Sequence, residues 1–301
     1  MNTQVTSLTT KQTEVATGWH GSVELVYACD RGKTQLIHSQ ARSPLKVQRP
    51  FYPEGEAICH TGVLHTAGGI VGGDSLAQTI HLQDNAQALI TTVAAGKIYG
   101  SRGKSPLSPA GKAARQTIDI KLDCGTCLEW LPQETIVFDG AVYQQDVRVE
   151  LAKGSSWLGW EITRFGRTAR GERFLEGEWH SHTEIWQEGK PLWIDRQYLP
   201  GGQEILDSPQ GLARQPIFAS LIYIGFPVSS QMVNQARNIW MATDRQGEAG
   251  VTQTMAEGLL CRYRGNSTSE VRNWFIEVWQ LLRLSHSGVS VTKPRFWPLF
   301  G

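Results

Sequence analysis

Polar and apolar residues alternate with period two along much of the chain between Trp19 and about residue 228. In residues 117–122 every second position is apolar, and residues 146–151 repeat this pattern. Such alternation is typical of half-buried β-strands. Turn-forming residues, as at 123–125 and 153–155, separate the runs at short intervals. Strand, turn and strand at this spacing predict antiparallel sheets rather than βαβ units.

A helical periodicity appears only in the C-terminal third. Ser267 and Glu270 have the spacing of a capping box, and Gly288 can end the helix that follows. Apolar residues recur between them at intervals of three and four, at Val271, Trp274, Phe275, Val278 and Leu282. A weaker helical pattern covers about Ser230 to Met241. The sequence therefore predicts a mainly β fold with a few helices near its C-terminal end.

The domain organisation is simple. Residues 1–17 are polar and rich in Thr and Gln, and we expect them to form a flexible tail. No internal repeat, low-complexity tract or Pro/Gly-rich linker divides the remainder of the sequence. Residues 18–301 are therefore predicted to form a single β domain.

Charge and hydropathy argue against several classes of protein. The chain of 301 residues carries 29 Lys and Arg against 28 Asp and Glu, a balance that provides no long-range attraction for nucleic acid or an anionic membrane. Its longest uncharged run has an apolar centre at residues 217–228, which is too short for a membrane span and contains Pro227. Five cysteines and the lack of a secretory signal pattern predict a cytoplasmic protein.

The glycine-rich stretches do not match nucleotide-binding motifs. The run HTAGGIVGGD at 65–74 never gives the G-x-G-x-x-G spacing of a dinucleotide site. Residues 103–105 end like a Walker A loop, but Ile98 occupies the position of its first glycine. Signatures of serine hydrolases and zinc proteases are also absent from the sequence. We therefore predict a protein that is not an enzyme, and that leaves any nucleotide hydrolysis to another chain.

A C-x-x-C motif occurs at Cys124 and Cys127. This spacing occurs in redox pairs and in half of many zinc sites. Here the motif lies in a turn between two strands, without a second Cys or His pair, which favours incidental thiols.

His180 and His182 point to the same side of a predicted strand, with Glu184 beside them. The pair is interpreted as a polar strand face, with a metal site as the alternative.

Three carboxylates stand out in the otherwise apolar stretch 128–141, namely Glu129, Glu134 and Asp139. Buried carboxylates need partners, and the stretch 159–174 supplies four arginines together with Glu161. One interpretation is a set of ion pairs that hold adjacent strands. The other is a carboxylate-lined path through a β scaffold that passes a divalent cation.

The eleven tryptophans suggest a docking surface as well as a core. Trp and Arg are the residues that most often anchor protein interfaces. Both types cluster around the C-terminal amphipathic helix, and the predicted partner-binding residues are Arg262, Arg264, Trp274 and Trp279.

Seven distinctive stretches extend through nearly the whole chain: HTAGGIVGGD (65–74), TTVAAGKIYGS (91–101), LEWLPQETIVFDGA (128–141), GWEITRFGRTARGERF (159–174), WIDRQYL (193–199), CRYRG (261–265) and PRFW (294–297). In content and order they resemble the urease accessory protein UreD family, also called UreH. The resemblance implies an elongated, helix-like stack of strands with a few helices. It also implies a cytoplasmic, non-enzymatic chaperone for nickel insertion into urease.

Further expectations follow from this resemblance. Family members act with UreF and the GTPase UreG on the urease apoprotein, and UreE brings nickel indirectly. No tightly bound cofactor is implied, because nickel is a transient passenger. The glycines of 65–74 are expected to permit turns and close strand approach, with Asp74 at that constriction.

The leading hypothesis is a nickel path lined by Asp74, Glu129, Glu134, Asp139 and Glu161. Each site would have to be weak, because transit requires an ion to leave as readily as it arrives. The alternatives are a pure interaction scaffold without metal conduction, and an enzyme that uses the C-x-x-C thiols or a carboxylate pair.

Overall fold

A computed structural model describes residues 18–104, 106 and 108–297, so the predicted tail at 1–17 lies outside the described residues. In chain order the strands are β1 (His20–Asp30), β2 (Lys33–Arg42), β3 (Leu45–Val47), β4 (Ile58–His65), β5 (Ser75–Leu82), β6 (Gln87–Thr92), β7 (Gly96–Ile98), β8 (Ala114–Leu122), β9 (Cys127–Trp130), β10 (Thr135–Val137), β11 (Ala141–Leu151), β12 (Ser156–Phe165), β13 (Gly177–Gln187), β14 (Lys190–Pro200), β15 (Ile217–Ile224), β16 (Glu248–Gln253) and β17 (Leu259–Gly265). The helices are α1 (Gln203–Asp207), α2 (Ser230–Met241) and α3 (Thr268–Ser287), with a 3-10 turn at Thr168–Arg170. The mainly β prediction is confirmed.

The strands form two large sheets. The seven-stranded sheet has the order β14-β13-β11-β8-β5-β1-β2. The ten-stranded sheet has the order β16-β17-β15-β12-β9-β6-β4-β3, and β10 and β7 continue beside β12. From β4 to β13 the chain alternates between the sheets, so that successive passes stack beside one another like turns of a helix.

Pairing in the centre of both sheets is parallel, which corrects the prediction of antiparallel sheets. β5, β8, β11 and β13 pair in parallel in one sheet, and β4, β6, β9 and β12 do so in the other. The turns carry the chain across to the opposite sheet, so each strand lies beside the strand of the previous coil. Antiparallel pairs occur at the flanks, as in β1–β2, β13–β14 and β12–β15.

Burial follows the alternation seen in the sequence. Residues Ile118 and Ile120 of β8 and Val147 and Val149 of β11 are buried, and their neighbours point outward. These side chains belong to a core between the two sheets. A second core lies on the other face of the ten-stranded sheet, beneath α2 and α3.

Both predicted helices are confirmed. α3 begins after Ser267, whose side chain accepts a hydrogen bond from the backbone of Glu270 at 3.1 Å, and ends at Gly288 with a positive φ of 69°. α2 has the predicted range and an N-cap at Ser229. No helix among the described residues is long and apolar enough to cross a membrane.

The glycine-rich segment between β4 and β5 is a close-packed crossing between the sheets. A Cβ atom on Gly72 would lie 2.5 Å from the carbonyl oxygen of Lys112, and Gly73 has a φ of 99°. Ile70 forms a parallel bridge with Ile98. The expected structural use of the glycines is therefore confirmed.

Candidate functional site

A cavity of about 280 Å³ lies between the two sheets. Its walls are mostly apolar and include Trp130, Trp157 and Trp193. We call this space the inter-sheet cavity. The polar side chains that border it include His65, Gln78, Gln116, Gln145, Glu161 and Asp195. Apolar pockets with few converging polar groups are typical ligand sites.

Strand register places polar residues on the inner faces of both sheets. Gln116 of β8 pairs with Gln145 of β11, which pairs with Ser181 of β13. In the opposite sheet Glu161 of β12 and Ser220 of β15 are register partners. The parallel coils thus align polar groups from strands that are distant in the sequence.

Glu161 is the carboxylate at the centre of this arrangement. It accepts hydrogen bonds from the Ser181 hydroxyl at 2.7 Å and the Thr163 hydroxyl at 3.3 Å. Burial raises the pKa of the Glu161 carboxyl to about 7, and the charge of Asp195 adds to this, against the hydrogen bonds and the charge of Arg262. Glu161 borders the cavity, and because its pKa is about 7 its charge changes with pH near neutrality.

Asp195 lies across from Glu161 on β14. Its Oδ2 accepts a hydrogen bond from Arg262 Nη2 at 2.7 Å, and its Oδ1 accepts one from Gln197 Nε2 at 2.6 Å. Arg262 also donates to the Ser220 hydroxyl at 2.8 Å, so its guanidinium bridges the two sheets. Asp195 was not among the residues predicted from the sequence, although Trp193 and Asp195 share a strand face in WIDRQYL, which was a usable signal.

The β4–β5 side of the cavity contains polar atoms without partners. Both ring nitrogens of His65 and the amide oxygen of Gln78 are buried and find no hydrogen bond within the described parts of the chain. Burial lowers the pKa of the His65 imidazole, and the nearby Asp74 carboxylate offsets this only in part. His65 is therefore neutral at physiological pH.

Two of the predicted path carboxylates serve as backbone acceptors. Asp74 accepts hydrogen bonds from the amides of Trp19 at 2.8 Å and Val71 at 2.9 Å. Asp139 accepts from the amides of Leu175 at 2.7 Å and Glu176 at 2.8 Å. Both residues organise loops at the ends of strands, and neither borders the cavity.

Two more predicted path residues form ion pairs with α3. Glu129 is buried and accepts hydrogen bonds from Arg283, whose Nε lies 2.7 Å from Oε1, and from the Trp279 indole at 2.6 Å. Glu134 is paired with Arg272. Of the five predicted carboxylates only Glu161 borders the cavity, so the cavity does not join all five, and a path along them stays a prediction. The ion-pair interpretation holds for Glu129 and Glu134, but with arginines of α3 and not those of 159–174.

The four predicted partner-binding residues have contacts within the fold, and their role in partner binding stays a prediction. Trp274 and Trp279 are 0% exposed and belong to the core beneath α3. Arg262 bridges the sheets, and Arg264 donates to the carbonyl oxygens of Pro209 and Gly211 and pairs with Glu248. The periodicity that identified the helix could not tell which tryptophans face inward and which face solvent.

Neither the H-x-H motif at 180–182 nor the C-x-x-C motif at 124–127 forms a metal site among the described residues. His182 lies on the outward face of β13, with Nε2 2.9 Å from Glu184 and Nδ1 3.5 Å from Asp146, which confirms the polar strand face. Cys124 is a free thiol in the turn before β9, and Cys127 is a free thiol at the first position of β9. Across residues 18–297, with 105 and 107 set aside, no three His, Cys, Asp or Glu side chains are arranged to hold a metal ion.

The thiols should differ sharply in reactivity. Burial raises the pKa of the Cys127 thiol to about 11, whereas Cys124 is exposed. Brief iodoacetamide treatment of the folded protein at pH 8, followed by peptide mass spectrometry, is expected to label Cys124 and leave Cys127 unmodified. Rapid labelling of Cys127 would instead indicate an activated thiol and revive the redox interpretation.

Comparison with known proteins identifies the family. A family model described as UreD urease accessory protein matches residues 20–298. A urease accessory protein UreD of Trichormus variabilis is 61% identical over 280 residues, covering 93% of this chain and 96% of that protein. The UreD proteins of Nostoc sp. and Synechocystis sp. are 60% and 39% identical, covering 94% and 88% of this chain and 97% and 95% of their own lengths. The chain therefore belongs to the UreD urease accessory protein family, with an accessory role in urease maturation.

Proposed function

We propose that this protein promotes nickel insertion into urease as a non-catalytic member of a cytoplasmic complex. In this proposal it binds UreF and, together with the GTPase UreG, acts on the urease apoprotein, while UreE supplies nickel indirectly. Family membership supports the accessory role. The lack of an enzyme signature in the sequence is consistent with a protein that positions other molecules.

The proposal includes a transient nickel passage through the inter-sheet cavity, with Glu161 as its central carboxylate. The observation that carries it is that Glu161 borders the cavity and lacks the two-pronged guanidinium contact that holds Glu129. A buried carboxylate with a pKa of about 7 costs stability when ionised, and a passing cation would relieve that cost. Two facing carboxylates would attract a divalent ion.

The charge balance around Glu161 favours weak binding. Glu161 and Asp195 carry two negative charges when ionised, and Arg262 compensates one of them through Asp195. Together, Glu161, Asp195 and Arg262 would therefore present a divalent cation with a net negative charge of about one unit. The hydroxyl oxygens of Ser181 and Ser220 lie nearby. Such a site attracts nickel without trapping it, as conduction requires.

The test is nickel loading of urease by reconstituted complexes that contain Glu161→Gln. The substitution keeps the volume and an acceptor oxygen but removes the charge. We expect loading, measured as nickel per urease by elemental analysis, to fall by at least about tenfold, since even outer-shell substitutions typically weaken metal sites ten- to a hundredfold. Glu150→Gln, on the outward face of β11, is the matched control and should load normally. Co-purification with UreF and UreG should be unchanged in both.

A pure interaction scaffold is the second candidate function. It is favoured by the four carboxylates that serve backbone amides or ion pairs and do not border the cavity. Under this alternative Glu161→Gln would load nickel as the wild type does. Normal loading with an intact complex would therefore remove the passage and leave the scaffold.

A further inference from the structure

His65 has features that a structural histidine lacks. It lies at the end of β4, borders the inter-sheet cavity and has both ring nitrogens buried without hydrogen-bond partners among the described residues. A neutral imidazole has one donor and one acceptor, and proteins nearly always pair both when they are buried. On a cavity wall such nitrogens can be satisfied by water or by a ligand that enters the cavity.

Gln78 repeats this feature on the other sheet. It lies on β5, is 3% exposed, and its amide oxygen is buried without a partner in the described chain. Its inward direction follows from the alternation of β5, where Leu76 and Ile80 are also buried. An imidazole nitrogen and an amide oxygen therefore border one cavity with no bond to protein.

The order of strands in the ten-stranded sheet separates His65 from Glu161. β4 and β12 are separated by β6 and β9, which makes three strand spacings. At about 4.8 Å per spacing, the component of the His65–Glu161 separation that runs across the sheet is about 14 Å. Gln116 and Gln145 border the cavity on strands that lie between Gln78 and Asp195 in the opposite sheet.

The ligand chemistry of the two sites differs. Carboxylate and hydroxyl oxygens, as around Glu161, accept magnesium, calcium and manganese as well as heavier metals. Imidazole suits nickel, zinc and copper and is a poor ligand for magnesium. Because burial keeps the pKa of His65 low, its ring nitrogen is available as a ligand without loss of a proton.

We propose that His65, with Gln78 on the opposite sheet, forms a second cation site in the cavity, three strand spacings from Glu161, that selects borderline divalent ions such as nickel against magnesium. The inference rests on the proposed nickel passage and assigns the discrimination to its β4–β5 side. Glu161 supplies the charge that draws a divalent ion into the cavity, and His65 supplies the preference among divalent ions.

The experiment uses the full chain purified with UreF and nickel alone as the probe. X-ray absorption at the nickel edge reports imidazole scattering, and calorimetry with and without excess magnesium reports affinity and selectivity. The wild type should show imidazole scattering and little competition by magnesium. His65→Gln should lose the imidazole signal, bind nickel about tenfold or more weakly and become sensitive to magnesium.

Two further variants make the result decisive. His180→Gln, on the outward face of β13, is the matched control and should leave nickel affinity and the effect of magnesium unchanged. Gln78→Met removes an amide oxygen that bonds to nothing else described, so it should fold even if His65→Gln does not. It should weaken nickel binding several-fold, and unchanged binding in the folded His65 and Gln78 variants would overturn the inference.

Failure of this inference differs from failure of the proposed function. If His65→Gln retains the wild-type nickel spectrum and selectivity while Glu161→Gln still lowers urease loading, the passage stands and His65 is not a nickel ligand. If Glu161→Gln loads urease normally, the passage fails whatever the spectrum of the His65 variant shows.

Discussion

Replacing Arg283 by methionine is expected to lower the free energy of unfolding by about 3–5 kcal/mol, the usual cost of removing one partner from a buried ion pair. Arg283 is 7% exposed and lies on α3. It donates to Glu129 of β9 and, through Nη1 at 2.6 Å, to Glu54 before β4. Methionine has a high helix propensity, so the loss would come from the contacts and not from the helix itself.

The large effect follows from the charges that remain. Without Arg283, Glu129 and Glu54 are two buried carboxylates with no arginine partner among the described residues, and Glu54 keeps its contact with the His60 ring, 2.9 Å away. Burial alone would raise the pKa of Glu54, but the hydrogen bond from His60 and the charge of Arg283 hold it below its ordinary value. Glu54 therefore contributes stability above its unfolded pKa of about 4.5, and this contribution is lost as the pH falls through the lowered folded value.

Urea denaturation followed by tryptophan fluorescence measures the loss. Arg148→Met is the matched control, because Arg148 pairs with Glu150 and Glu184 on an exposed sheet face and should cost below about 1 kcal/mol. Adding Glu129→Gln to Arg283→Met should restore part of the stability, since it removes one uncompensated charge. A loss no larger than that of the control would contradict a stabilising role for the buried network.

The elements of the fold could be predicted from local pattern, but their pairing could not. Period-two alternation located β8 and β11, and the capping signal at Ser267 located α3. Whether a strand returns beside its predecessor or crosses to another sheet depends on contacts between distant residues. The turn residues at 123–125 and 153–155 suit a hairpin as well as a crossing to the other sheet. The parallel pairing could therefore not be predicted from them.

The polar lining of the cavity was within reach of the sequence. The alternation of β8 that directs Ile118 and Ile120 inward also directs Gln116 inward. In β11 the same alternation directs Gln145 to the side of Val147. A glutamine at an inward position of a strand marks a polar interior. The partners of the buried carboxylates were out of reach, because Glu129 and Arg283 are 154 residues apart in sequence.

Replacing Glu161 by glutamine is expected to stabilise the folded protein at pH 8 by about 3 kcal/mol, at about 1.4 kcal/mol for each unit of a pKa that rises from 4.5 to about 7 on folding. Below pH 4.5 the carboxyl is protonated in both states and imposes no penalty. Between pH 4.5 and 7 the unfolded chain releases the proton while the folded chain keeps it, so wild-type stability falls as the pH rises. Above pH 7 the penalty is complete, and glutamine avoids it.

Urea denaturation of wild type and Glu161→Gln at pH 5 and pH 8 gives the comparison, in which the other titrating groups cancel. The stability difference should be small at pH 5 and large at pH 8, whereas Glu150→Gln should show no such growth, because Glu150 is partly exposed beside Arg148. A difference that does not grow with pH would show that Glu161 is well solvated and would remove the basis for its raised pKa. If the variant is more stable and still loads less nickel, misfolding cannot explain the loss. A carboxylate that lowers the stability of the fold, and whose removal impairs nickel delivery, then has a functional role in binding the ion.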